Sequence, residues 1–133
     1  MPLKCTNPDD LATPQTYSHV VTASGGRMVF VAGQVAEDRQ GNLVGPGDLA
    51  AQARKAFENL GRALAAGGAR PDHVAKITIF VPGFRPEHIP VIEAGRQAAF
   101  GDHKPADALV GVETLADPGW LIEVDAIAIV EEP

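Results

Sequence analysis

Apolar residues recur along this chain with two different periods. From Trp120 to Val130 they alternate. Ile122, Val124, Ala126, Ala128 and Val130 share one strand face, and Leu121, Glu123, Asp125, Ile127 and Ile129 the other. His19–Ala23, Arg27–Ala36, Val74–Val81 and Ala106–Leu115 read as further strands, from their Val and Ile content and their alternation. Ser24-Gly25-Gly26 between the first two reads as a hairpin turn. A helical spacing appears after Asp48, a suitable N-cap: Leu49, Ala53, Ala56, Phe57, Leu60 and Leu64 form one stripe, ended by Gly67-Gly68. Pro82-Gly83 closes the strand that begins at Val74, and a second helix is predicted from Pro86 to Phe100, its prolines confined to the first turns. Residues 1–16, with Pro2, Pro8 and Pro14, read as an irregular arm with at most a short edge strand.

The resulting order is β-β-α-β-α-β-β. Each helix has one apolar stripe and each strand one apolar face, so the economical packing is a mixed sheet with two helices on one face, an α+β two-layer fold. In this register Met28, Phe30, Phe80, Leu109, Leu121, Ile127 and Ile129 project onto the other sheet face. A monomer would not readily expose that much apolar surface, which predicts a homo-oligomer.

Composition narrows the classes. The 133 residues fit a single domain, 1–133, with 45% hydrophobic and 21% charged residues. The net charge is −6 and Arg54-Lys55 is the only adjacent basic pair, which argues against a nucleic-acid partner. Cys5 is the sole cysteine, so an intrachain disulfide and a multi-cysteine zinc site are excluded. No signal-like or membrane-spanning apolar run is seen, and the expected setting is cytoplasmic.

Candidate chemistry is sparse. Glu123 and Asp125 lie among apolar neighbours, where a carboxylate is solvated, paired, or placed in a pocket that suits acid–base work. His19, His73, His88 and His103 show no metal-ligand spacing and read as surface residues. Glycine-rich phosphate signatures are absent, so no metal or cofactor is expected. Pro2 could act as an N-terminal base after loss of Met1, as in small trimeric tautomerases, but the strand order fits another pattern better.

That pattern is carried by Tyr17, Val29-Phe30-Val31-Ala32-Gly33-Gln34-Val35, Ala51-Gln52-Ala53-Arg54 with Glu58-Asn59-Leu60, and Val74-Ala75-Lys76-Ile77-Thr78. Lys104-Pro105-Ala106 and Ile122-Glu123-Val124-Asp125-Ala126-Ile127-Ala128 complete it. In order and spacing these resemble the Rid family (reactive intermediate deaminases, also called YjgF) over nearly the whole chain. The resemblance implies a chorismate-mutase-like fold, a homotrimer with small-molecule clefts between subunits, and cofactor-free hydrolysis of enamines and imines. It assigns Glu123 to a water-activating carboxylate, and Tyr17, Gly33 and the backbone of Leu109 to the cleft lining. Asp125 matches a structural position. The family's cleft arginine, which holds a substrate carboxylate, follows the Pro-Ala pair; here Asp107 stands there. At about 4 Å two like charges repel by several kcal/mol at a surface-like dielectric, so substrate choice should differ. Arg27, Arg85 and Arg96 are possible replacement anchors. The resemblance thus implies an imine or enamine deaminase of altered specificity. The alternatives are a non-catalytic binding trimer and, disfavoured by the acidic charge, an endoribonuclease or translation inhibitor.

Overall fold

The computed structural model describes residues 2–132. The strands are β1 Leu3–Thr6, β2 Val20–Ala23, β3 Arg27–Gln34, β4 Val74–Pro82, β5 Ala106–Val112 and β6 Glu123–Val130; the helices are α1 Leu49–Ala66 and α2 Ile89–Phe100. The main sheet has the order β3-β6-β4-β5. β6 runs antiparallel to both β3 and β4, whereas β5 is parallel to β4. Two helices cover one face, so the α+β arrangement expected from the alternation is the one observed.

α1 starts where Asp48 accepts a hydrogen bond from the Ala51 amide at 3.1 Å, which satisfies one of the free donors of the first turn. It ends at Gly67, and Gly68 follows with φ +78°, a conformation that favours glycine. Its buried stripe of Ala53, Ala56, Phe57, Leu60 and Leu64 lies over β3 and β6 and shares one core with Val29, Val124, Ala126 and Ala128 and with Ile77, Ile79 and Val81 of β4. α2 adds Ile92 and Phe100, and Phe57 meets Phe100 edge-to-face at 6.1 Å. One polar residue interrupts the α1 stripe. Gln52 is fully buried, donates to the Gly45 and Gly119 carbonyls at 3.1 Å each, and accepts from the Leu121 amide at 2.9 Å. It ties the loop before α1 to the approach to β6.

Four sequence-based expectations are corrected. β2 and β3 do not form a hairpin: β2 pairs with β1 and β3 with β6. Gly25 and Gly26 both take positive φ and turn the chain through a corner, with Gly26 packed against the Val130 carbonyl. The β1–β2 ribbon therefore lies at the end of the sheet where β3, β4 and β5 start. Ser18 anchors it to β5 by bonds to Pro105 and Lys104 carbonyls at 3.2 and 2.6 Å. Leu109 does not project onto the open face. The parallel register sets it abreast of Ile79, a core residue, and so turns it to the helix side. The strands expected to reach Ala36 and Leu115 end at Gln34 and Val112, and the last begins at Glu123, not Trp120. His73 is buried, its Nδ1 accepting from the Arg70 amide, so it is not a surface residue.

Because Gln52 satisfies three buried backbone groups, Gln52→Leu should lower stability by about 2–3 kcal/mol despite its similar size. Urea unfolding midpoints of the two proteins measure this.

Candidate functional site

The alternation of β6 puts Glu123 abreast of Phe80 and Asp125 abreast of Thr78, on the face away from the helices. The two acids then part company. Asp125 accepts a hydrogen bond from the Thr78 amide at 3.1 Å and is spent on the sheet. Glu123 stands at the first position of β6, half-buried, beside a bulge in β3. Between Val31 and Gln34 that strand advances three residues while β6 advances two, from Ala126 to Val124. The extra residue brings Gly33 under the Glu123 side chain. A Cβ at Gly33 would overlap the carboxylate, with the carboxyl carbon only 2.7 Å away. Glycine is needed here for close approach.

Tyr17, Asp107 and Leu109 are gathered elsewhere. Tyr17 lies edge-on to His19 at 5.4 Å, next to Ser18, which fastens the arm to the start of β5. Asp107 and Leu109 belong to β5, the outer strand opposite β3. Three strand spacings, about 14 Å, separate the two edges. A single chain thus brings Gly33 and Glu123 together at one edge, and Tyr17 and the β5 residues together at the other, without joining the two groups.

Asp107 sits abreast of the buried Ile77, facing α2. Burial raises its carboxyl from the ordinary value to about 6; Arg96 and Lys76 oppose this and Glu93 adds to it. Arg96 is itself almost fully buried. Its Nε donates to Glu93 Oε1 at 2.7 Å, its Nη2 to the same oxygen, and its Nη1 to the His103 carbonyl at 3.4 Å. His103 in turn bonds the Val74 carbonyl at 2.7 Å. The other two candidate anchors are also engaged: Arg27 with Glu132 and the Gly67 carbonyl, and Arg85 with Glu87.

A feature that sequence reasoning missed adjoins Gly33. A groove of about 720 Å³ runs between the end of β3 and α1, lined by Gly33, Glu37, Arg39, Lys55, Asn59 and Arg62 among others. The signal was present: Lys55, Asn59 and Arg62 are spaced i, i+4, i+7 and so share one helical face. Asn59 fixes the groove floor by donating to the Val35 and Glu37 carbonyls at 2.9 Å each. Among the described residues no three His, Cys, Asp or Glu side chains converge as a metal set, and no helix is long and apolar enough to cross a membrane.

Comparison with known proteins agrees with this fold. The profile of the Endoribonuclease L-PSP family matches residues 8–130. Protein DfrA of Myxococcus xanthus is 38% identical over 85% of this chain and 84% of its own length. The 2-iminobutanoate/2-iminopropanoate deaminase of Escherichia coli K12 is 31% identical over 78% of this chain and 80% of its own. The crystal structure of YyfB from Yersinia pestis, a Rid-family protein of unknown function, superposes with a TM-score of 0.92. It is 34% identical over 98% of this chain and 100% of that one. The chain belongs to the Rid/YjgF family, the group matched by the Endoribonuclease L-PSP profile.

The Asp107 environment yields a pH prediction. Its folded pKa lies above the ordinary 3.8, so its charge is a cost present above about pH 6, relieved as pH falls through that value. Asp107→Asn should therefore stabilise the fold at pH 7.5 by about 1 kcal/mol, a figure reduced for its partial exposure. The advantage should vanish near pH 4, as thermal melts across that range would record.

Proposed function

We propose that this chain is a hydrolytic deaminase of a small enamine or imine, working without a cofactor in clefts between the subunits of a homotrimer. The observation that carries the reading is the seating of the Glu123 carboxylate over Gly33 at one sheet edge. Tyr17, Asp107 and Leu109 occupy the other edge, so apposition of β3 of one subunit with β5 of the next would complete a site from two halves. Met28 and Phe30, exposed by 55% and 68% on the open face, give that association an apolar driving force. Relatives named as 2-iminobutanoate/2-iminopropanoate deaminases support the reaction class.

In the proposed reaction Glu123 takes a proton from a water molecule whose oxygen adds to the C=N carbon. Protonated Glu123 returns that proton to the nitrogen, the new hydroxyl gives up its own proton to the leaving nitrogen as the C–N bond breaks and C=O forms, and a carbonyl compound and ammonia leave. Gly33 leaves room for the carboxylate and for the ligand, Tyr17 forms a wall of the cleft, and Leu109 offers backbone groups. Asp107 sets the substrate apart, since by the resemblance it stands where the family's cleft arginine is expected. A non-catalytic binding trimer is the second reading, and the same Asp107 favours it. The family profile carries an endoribonuclease name, but a net charge of −6 suits a small-molecule cleft better than a phosphate backbone. The proposed setting is cytoplasmic, as one domain.

Light scattering at micromolar concentration should give three times the chain mass; a monomer would sink the assembly. Ammonia release from imines of small 2-keto acids should be slower than for an arginine-bearing relative. Turnover on the best substrate should fall about 10²–10⁴-fold in Glu123→Gln. Gly33→Ala should lose turnover comparably with a much smaller effect on its melting point, because the atoms that must move are the Glu123 side chain from Cγ outward and not backbone. Equal turnover in wild type and Glu123→Gln would remove Glu123 from the mechanism.

A further inference from the structure

We infer that Asp107 is the specificity-determining residue of the proposed cleft, and that with Leu109 and Ile89 it receives a substrate whose far end is a short alkylammonium and not a carboxylate. The inference rests on the deaminase reading for the reaction. It deepens that reading by naming the substrate class: aliphatic imines that carry a second, protonated amine.

The placement follows from the crossover. β5 is parallel to β4, so the connecting α2 runs back against both strands. Asp107 feels the charges of Arg96 and Glu93 on that helix. Ile89 precedes Glu93 by one helical turn, and Leu109 follows Asp107 by two strand residues, each a step of about 6–7 Å. Ile89 and Leu109 therefore come level at the rim between α2 and β5, and both are exposed, by 46% and 37%. The rim has an acid end and an apolar end, the pattern that suits an ammonium on a short hydrocarbon chain.

The acid end is short of cations. Arg96 gives its Nε and Nη2 to Glu93 Oε1 and its Nη1 to the His103 carbonyl. Among the described residues Asp107 has neither an ion pair nor a side-chain hydrogen bond, and Glu93 Oε2 has no hydrogen bond. Lys76, the other cation that acts on Asp107, alternates with Ile77 along β4 and so points to the opposite sheet face. Two acids thus share one guanidinium on the helix side. An ammonium has three N–H donors to offer these oxygens, each bond charge-assisted. A substrate carboxylate would meet like charge with no free cation on that face, which discriminates against it.

The test uses the full chain, with butylammonium as probe and butyrate as control, followed by amide NMR titration. At pH 7.5 butylammonium should shift residues 89–93 and 106–110, and butyrate should not. Asp107→Asn should weaken butylammonium binding at least about tenfold, and Asp107→Glu should keep part of it. Burial, the main cause, holds the Asp107 carboxyl at about 6, with Glu93 adding to this and Arg96 and Lys76 opposing it. Binding should therefore be strong above that pH and weaken about tenfold by pH 5, with no such pH dependence in Asp107→Asn. Absence of butylammonium binding, equal affinity in Asp107→Asn, or butyrate bound as tightly at the same amides would overturn the inference. Ammonia release is measured in parallel on the imines of 3-aminopropanal and propanal, made in situ by a flavin amine oxidase. The first should have the higher kcat/KM, and Asp107→Asn should lose the preference. Binding as described with no turnover of either imine keeps the ammonium site and removes the deaminase. Turnover with the same preference in wild type and Asp107→Asn keeps the deaminase and removes the inference.

Discussion

The structure depends on β6 being held along both edges by antiparallel partners while one of its faces is wholly apolar. β3 and β4 supply the backbone partners, so the strand needs no polar side chain to satisfy its main chain. Its Val124, Ala126 and Ala128 are buried under α1, and each apolar side chain removed from water in such a layer contributes roughly 1.5–3 kcal/mol when large. The opposite face inherits whatever alternates with them. That is how Glu123 and Asp125 come to stand on the open side, two residues apart and with different fates.

The difference between those two acids is made by their neighbours. Asp125 finds an amide within its own sheet, in the middle of a regular ladder. Glu123 lies where the ladder is broken by an extra residue in β3, and the residue that meets it has no side chain. Any other residue would have put a Cβ into the carboxylate. The bulge therefore does two things together: it ends the regular pairing of an edge strand, and it opens space beside a carboxylate.

Buried polar groups are handled by full pairing in this protein. Gln52 and Asn59 on α1 each bind backbone groups of the segments they pack against, which fixes the exits of β3 and the entry to β6. Arg96 is the costliest group to bury, and it is surrounded by Glu93, Gln97 and the His103 carbonyl. Asp107 joins that neighbourhood as a second acid sharing one guanidinium. Its raised pKa follows from burial only partly repaid by charge.

The sequence by itself determined the layers. Alternation in β4 and β6 and the stripe of α1 are local periodicities, set by backbone geometry, so the α+β fold, the buried faces and the family were legible from the residues. Glu123 was legible as an acid on a mixed strand face. Pairing and register were decided by tertiary structure. Ser24-Gly25-Gly26 has the composition of a hairpin turn, yet it makes a corner, because positive φ at two glycines permits either and β6 competes for β3. Leu109 reads onto the open face in the sequence, and the parallel register with Ile79 turns it to the helix side. Asp107 carries no mark in the sequence of the buried Arg96 eleven residues before it, since their meeting requires α2 to fold back over the sheet. The groove beside Gly33 likewise joins a loop and a helix face, and only folding makes them neighbours.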